Sequence, residues 1–191
     1  PSVRLSGIQI SDFKNVRYGE LNFNNRRKNY RASVLGLYGQ NGSGKTALIL
    51  VPEIALTPQL LALFSAQFGD EIALLHSMLP AGERYDEWKR VRSGRAKVVV
   101  GTRSAIFAPL DHLGLIILDE EQEASYKSES TPRYHARDVA KYRIAHARGL
   151  LVLGSATPAV ESMFHAKAGN YHLFSLRQRY KQRALPKVII A

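Results

Sequence analysis

Leu35-Gly36-Leu37-Tyr38-Gly39-Gln40-Asn41-Gly42-Ser43-Gly44-Lys45-Thr46 is the stretch on which the reading of this chain turns. The apolar run Val34 to Tyr38 predicts a buried strand. It opens into Gly39-x-x-x-x-Gly44-Lys45-Thr46, the pattern of a phosphate-binding loop. Glycines let the backbone curl so that successive N–H groups face phosphate oxygens. Lys45 can reach the β- and γ-phosphates as a point charge, and the Thr46 hydroxyl can sit on Mg²⁺. A helix starting there would add its positive dipole end. Gly39, Gln40, Asn41, Gly42, Ser43, Gly44, Lys45 and Thr46 are thus the candidate nucleotide-binding residues, for ATP with Mg²⁺.

Downstream the pattern is regular. Helices are predicted over Pro58 to Phe68, Pro80 to Ser93 and Ala136 to Arg148. Strands are predicted over Ile72 to Leu75, Lys97 to Val100, Leu113 to Leu118 and Leu150 to Leu153. Strands alternating with helices imply an α/β fold, a P-loop NTPase with a RecA-like, mostly parallel sheet and helices on both faces. Residues 3–24 read as two strands with a turn at Asn15 to Glu20, a small antiparallel segment ahead of the sheet. The organisation expected is 1–33 for that segment and 34–191 for the nucleotide-binding lobe. Polar words fall where strands end, the functional edge of such sheets.

Leu115-Ile116-Ile117-Leu118-Asp119-Glu120 is an apolar strand delivering two carboxylates, a Walker B pattern. Asp119 is the candidate Mg²⁺ ligand with Thr46. Glu120 is the candidate group that orients the attacking water, with Asp119 and Lys45 completing the catalytic set.

The chain has 191 residues, of which 45% are apolar, enough for one sizeable core. It has no cysteine, so disulfides and thiolate metal sites are excluded. No apolar run approaches the length of a membrane span and the start lacks signal-peptide architecture, so a cytoplasmic protein is expected. The net charge is +11, and it is uneven. Residues 1–50 hold eight basic and two acidic side chains, 51–129 eight and twelve, and 130–191 eleven and two. The acidic middle holds the candidate carboxylates, and basic flanks suit a polyanion.

Ile10-Ser11-Asp12-Phe13-Lys14-Asn15-Val16 followed by Leu35 to Thr46 resembles the N-terminus of ABC-type ATPases of the RecF/SMC/OLD-like group, over about the first 49 residues. From Leu50 onward the words differ. Leu50-Val51-Pro52-Glu53-Ile54-Ala55-Leu56-Thr57-Pro58-Gln59, Gly101-Thr102-Arg103-Ser104-Ala105-Ile106-Phe107-Ala108-Pro109, Asp119-Glu120-Glu121, Pro132-Arg133-Tyr134-His135-Ala136-Arg137 and Gly154-Ser155-Ala156-Thr157-Pro158 follow in order. Together they resemble the first motor lobe of the PriA-type replication-restart helicases of superfamily 2.

That resemblance implies an ATP-dependent, 3′-to-5′ DNA helicase acting on single-stranded or forked DNA, with primosome proteins and single-stranded-DNA-binding protein as partners and no membrane. It also implies roles. Gln122, Ser155 and Thr157 would couple the nucleotide site to DNA, although Gln122 stands where the family usually has histidine and so cannot carry a proton. Thr102 and Arg103 would contact DNA phosphates. Tyr126, Lys127, Arg133, Tyr134 and Arg137, aromatics among cations, would stack bases and neutralise phosphates. His135 and Trp88 read as contact or packing residues.

The join between the two resemblances is short. Only Ala47 to Val51 separate Thr46 from Pro52. Proline stops a helix, and five residues make little more than one turn. The segment can finish a stub of helix or form a strand, but not both. The resemblance places the arginine finger on a second lobe that is not in this sequence, so turnover by this chain alone is expected to be poor. The rival readings are an ABC/RecF-like ATPase and a truncated chain that binds DNA without catalysis.

Overall fold

The computed structural model describes residues 7–13, 16–22 and 45–175. The predicted strand Val34 to Tyr38, the loop Gly39 to Gly44 and the basic loop Asn24 to Tyr30 lie outside them. The chain divides into two compact units, Pro1–Leu37 with His165–Ala191, and Tyr38–Phe164.

In the first unit, β1 (Gly7–Phe13) and β2 (Val16–Asn22) pair antiparallel, from Gly7 with Asn22 to Phe13 with Val16. The expected turn over Asn15 to Glu20 is therefore displaced: Val16 to Glu20 lie in β2. Val16 and Tyr18 are strand formers, and alternation outweighs the turn signal of Gly19.

The second unit is built on a five-stranded parallel sheet, ordered β4-β5-β3-β6-β7. Its strands are β3 (Thr46–Leu50), β4 (Ile72–Leu75), β5 (Val98–Gly101), β6 (Leu113–Leu118) and β7 (Leu150–Leu153). The helices are α1 (Pro58–Phe68), α2 (Ala81–Arg92), α3 (Ala136–Ala147) and α4 (Val160–Lys167). The α/β reading of the sequence stands; β4 to β7 and α1 to α3 fall where periodicity puts them, whereas α4 is not among the predicted helices. Thr57 starts α1 by accepting a hydrogen bond from the Leu60 N–H at 3.3 Å, with Pro58 at the first helical position.

Ala47 to Leu50 resolve the choice left by the short join: they are strand. β3 runs between β5 and β6, with Leu50 beside Gly101 on one side and Leu118 on the other. A central parallel strand is buried on both faces, so Leu48, Ile49 and Leu50 in succession suit it better than an amphipathic helix. Leu48, Leu50, Val99, Ile116 and Leu118 form the core with Ile106, Ala136, Ala140 and Tyr126.

At β4 the side chains of α2 occupy the strand's free backbone groups. Glu87 Oε2 accepts the Leu74 N–H at 2.8 Å, and Arg90 Nη2 donates to the Ile72 carbonyl at 2.9 Å. Glu87 and Arg90 are themselves paired at 2.5 Å. An edge so occupied cannot recruit another strand.

Candidate nucleotide and nucleic-acid site

Five strand ends meet at the C-terminal edge of the sheet, where Val51, His76, Thr102, Asp119 and Gly154 follow. Parallel strands share one polarity, so their C-terminal loops gather there. The Asp119 N–H donates to the Leu50 carbonyl at 2.9 Å, extending the ladder by one residue. At Gly101 a Cβ would strike the Leu75 carbonyl oxygen, so only glycine lets β4 and β5 end side by side.

The Asp119 carboxyl is held above the ordinary carboxylate range. Desolvation raises it most and the charge of Glu120 adds to this, while the Glu120 N–H, donating to Asp119 Oδ1 at 3.1 Å, works the other way. A partly desolvated carboxylate with a second one beside it suits a hard divalent cation, which would relieve the cost at Asp119. Glu120 has a φ of 47°, the left-handed region, a costly conformation for a residue with a side chain. It turns the chain sharply off β6 and aims Glu120 and Gln122 at each other.

Gln122 bridges two groups. Its Nε2 donates to Glu120 Oε2 at 2.8 Å, and its Oε1 accepts from Ser155 Oγ at 2.5 Å. Ser155 Oγ also accepts the Thr157 N–H at 2.9 Å. Glu120, Gln122, Ser155 and Thr157 thus form one hydrogen-bonded chain across the ends of β6 and β7. An amide can donate and accept at once, which a neutral histidine also does but a carboxylate does not.

Lys45 and Thr46 do not join this site. Thr46 begins β3, level with Leu113 at the start of β6, and its hydroxyl donates to the Asp111 carbonyl at 2.9 Å. Asp119 lies beyond the other end of the strand. At about 3.3 Å per residue, the separation is on the order of 13 Å or more. The Lys45 stem lies along Gly114, where a Cβ would come within 2.9 Å of it. The expectation that Thr46 binds Mg²⁺ with Asp119 and that Lys45 joins the catalytic set does not match this geometry: Thr46 opens a strand, not a helix, and that strand places Thr46 and Lys45 at the edge opposite Asp119. The loop residues Gly39, Gln40, Asn41, Gly42, Ser43 and Gly44 lie outside the described residues.

The predicted DNA contacts divide sharply. Tyr126 is 0% exposed; its hydroxyl lies 2.7 Å from the Asp119 carbonyl and 3.0 Å from that of Leu50. Burial, then the charges of Asp119, Glu120 and Glu123, push its phenol far above the ordinary range. It cannot stack on a base. Thr102 is 3% exposed, so its hydroxyl is withdrawn from any phosphate. Arg137 is also withdrawn, its side chain 11% exposed and paired with Glu121 at 2.9 Å. Arg103 is turned inward: Nη1 donates to the carbonyls of Lys127 at 2.6 Å and Ser125 at 3.3 Å. These four depart from the expected ligand contacts: Arg103, Tyr126 and Arg137 satisfy carbonyls or a carboxylate that the fold would otherwise leave unpaired, and Thr102 is buried.

Lys127 and Arg133 remain exposed, and Tyr134 is half-buried. Tyr134 packs edge-on against Phe107, centroids 4.9 Å apart, with Arg103 Cζ 6.0 Å from its ring. Phe107 is 56% exposed and was not singled out in the sequence. Its signal is an aromatic residue in Ala105-Ile106-Phe107 whose two predecessors are core. His135 caps α3, its Nδ1 accepting the Arg137 N–H at 3.2 Å. Burial, then Arg137, lower its pKa, with Asp138 and Glu121 partly opposing.

Glu121 is the part of this arrangement least visible in the sequence. It is 1% exposed, yet every carboxylate oxygen is used: Oε1 accepts the Ala159 N–H at 2.7 Å, and Oε2 accepts from Ser162 Oγ and Arg137 Nη1, each at 2.9 Å. Third in a run of acids, it looks like one more surface charge. Only the pairing with a cation sixteen positions on in the chain explains its burial.

Known proteins are similar to this chain in sequence. Replication restart protein PriA of Bacillus subtilis is 52% identical over 145 residues, 76% of this chain and 18% of that protein. PriA of Synechocystis is 49% identical over 154 residues, 78% of this chain and 18% of that protein, and PriA of Treponema pallidum 50% over 145, 76% and 22%. This chain therefore spans about a fifth of the length of those relatives. Among solved structures, the C-terminal domain of the DEAD-box protein Dbp5 aligns with a TM-score of 0.46 at 16% identity, over 67% of this chain and 72% of that one. A family profile described as DEAD/DEAH box helicase matches residues 28–164, so the first 27 residues, with the start of the RecF/SMC/OLD-like resemblance, stand outside it. With the parallel sheet and its carboxylate-bearing edge, the match over residues 28–164 shows that this chain belongs to the DEAD/DEAH box helicases.

Proposed function

We propose that this chain is the carboxylate-bearing part of a replication-restart DNA helicase motor, in which ATP hydrolysis is linked to engagement of single-stranded or forked DNA. The observation that carries the reading is the continuous chain Glu120–Gln122–Ser155–Thr157 at the C-terminal edge. Asp119 would hold Mg²⁺, which supplies charge neutralisation at the phosphates of ATP. Glu120 would accept the proton of the attacking water, and the Gln122 amide holds its carboxylate in place. Ser155 and Thr157 lie on the loop after β7, so movement of that loop would be felt at Glu120 through one amide. Lys127, Arg133, Tyr134 and Phe107 would meet the nucleic acid, cations on phosphates and rings against bases. Primosome proteins and single-stranded-DNA-binding protein are the partners this reading implies, and the cytoplasm its compartment. Among the described residues no helix is long and apolar enough to cross a membrane.

The test is ATP hydrolysis by the purified chain with and without oligothymidylate, with Glu120→Gln as control. Stimulation by DNA that disappears in the variant supports the motor reading. A second reading, DNA binding without catalysis, is favoured by the position of Thr46 at the opposite edge. Salt-sensitive DNA affinity with no hydrolysis in either protein would select it.

A further inference from the structure

The segment between Tyr126 and Arg137, exposed from Glu129 to Arg133, is strung between two inward-turned anchors, the buried Tyr126 and the half-buried Arg137. At its start, the Tyr126 hydroxyl holds the carbonyls of Asp119 and Leu50. At its end, Arg137 Nη1 holds Glu121 Oε2 at 2.9 Å and Ser162 Oγ at 3.1 Å. Both anchors land on the turn that follows β6, but they differ in kind. Tyr126 grips backbone carbonyls at strand ends, which the sheet keeps in place. Arg137 grips a side chain that also holds the Ala159 N–H, on the loop carrying Ser155 and Thr157.

Glu121 is the residue between Glu120 and Gln122. Its N–H donates to the Gly154 carbonyl at 3.0 Å, so backbone and side chain both tie it to the segment after β7. With Glu121 buried, water cannot replace a donor that withdraws. A shift of Arg137 must therefore be answered by Glu121, Ser162 and Ala159 together. Arg137 also has an Nε that is buried and unpartnered among the described residues, so the guanidinium has a second, unused hydrogen-bonding direction.

We infer that the Arg137–Glu121 ion pair is the positioning link by which the exposed loop, on engaging a single strand, sets the Gln122–Ser155 bridge to Glu120. The inference rests on the DNA reading above and deepens it. Neither residue touches nucleotide or nucleic acid. Arg137 lies in the first turn of α3, after the cap His135 and Ala136, so a strand held by Arg133 and Tyr134 pulls on the start of that helix. A purely architectural ion pair would stabilise the fold and transmit nothing, which is the alternative the test must separate.

The experiment is an NMR titration of the chain with oligothymidylate, following backbone amides and the Gln122 side-chain amide. Three variants are compared with the parent: Arg137→Met, Arg137→Lys, and Glu121→Leu combined with Arg137→Met, which leaves no buried charge unpaired and so guards against unfolding. In the parent, the oligonucleotide should move the signals of Lys127 to Tyr134 and also those of the Gln122 side chain and Ala159 N–H. In the double variant the first group should still move, with affinity within about twofold of the parent, and the second should stay still. Arg137→Lys should restore part of the response. Movement of the Gln122 signal in the double variant would overturn the link, as would its stillness in a parent whose loop signals move. If no loop signal moves in the parent, the DNA reading itself falls, a separate result, and the link falls with it.

Discussion

The hydroxyl of Tyr126 lies 2.7 Å from the carbonyl oxygen of Asp119. An aromatic residue from the loop that reads as nucleic-acid-binding is thus inserted under the nucleotide edge, where it joins the ends of β3 and β6. Its role is to fix the position of the acidic turn. Tyr126→Phe keeps the ring and removes the bond, so it should cost about 1–2 kcal/mol of stability. DNA affinity should be unchanged. Denaturant unfolding and an oligonucleotide titration check both parts; weakened DNA binding without destabilisation would contradict the placement.

Because Lys45 stands at the far edge of the sheet, Lys45→Ala should leave any Mg²⁺-nucleotide binding at Asp119 within about twofold of the parent. Asp119→Asn should abolish it. A titration with a fluorescent ATP analogue separates the two. Equal loss in both variants would mean that the loop and the carboxylates meet after all.

Asp119→Asn should also stabilise the metal-free chain at neutral pH. The folded state raises this carboxyl above its ordinary value of 3.8, by desolvation and by Glu120. The folded state therefore binds the proton more tightly than the unfolded state does. The stabilising contribution is present below that ordinary value and is lost as pH rises through the folded pKa. At neutral pH the ionised Asp119 is a cost, which asparagine removes. Thermal melts in chelator should show a higher Tm for the variant at pH 7, with the difference vanishing as pH falls towards 3.8.

His135 has the opposite sign of shift for a base. Its folded pKa lies below the ordinary 6.5, through burial and Arg137, so the unfolded state binds the proton first. Its contribution is intact above 6.5 and declines as pH falls through the folded pKa. The helix cap is lost as well, since a protonated Nδ1 cannot accept the Arg137 N–H. His135→Asn, a good cap without a titrating group, should flatten the acid side of the stability profile. An unchanged profile would remove His135 from the account.

Glu87 and Arg90 together cover the backbone of β4. Replacing both with alanine exposes that edge. The double variant should self-associate at concentrations where the parent is monodisperse, measured by light scattering. No change would show that the edge is protected by other means.

Much of the fold was legible because its signals are local. Val98 to Val100 and Leu115 to Leu118 are continuous apolar runs with turn residues after them, which is what a strand buried on both faces must look like. Asp119 and Glu120 follow directly from the end of such a run. Gln122 and Ser155 were legible by resemblance, and the bond between them is 2.5 Å long.

What the sequence by itself determined was strands β4 to β7 and helices α1 to α3, the edge of the sheet at which polar words collect, and the identity of its carboxylates. Each follows from periodicity or from residues adjacent in the chain. Only the tertiary structure decided which polar side chains face outward. Arg103, Tyr126 and Arg137 have the composition of a nucleic-acid surface, yet each turns inward, because carbonyls of Ser125, Lys127, Leu50 and Asp119 and the carboxylate of Glu121 need donors there. The same holds for Lys45 and Thr46, whose motif predicts a phosphate site. Their place is set by pairing of Thr46–Leu50 between β5 and β6, a long-range choice that puts them at the edge opposite Asp119. Motifs specify chemistry through nearest neighbours along the chain, whereas a site requires neighbours in space, and those are fixed by burial and by the pairing of distant strands.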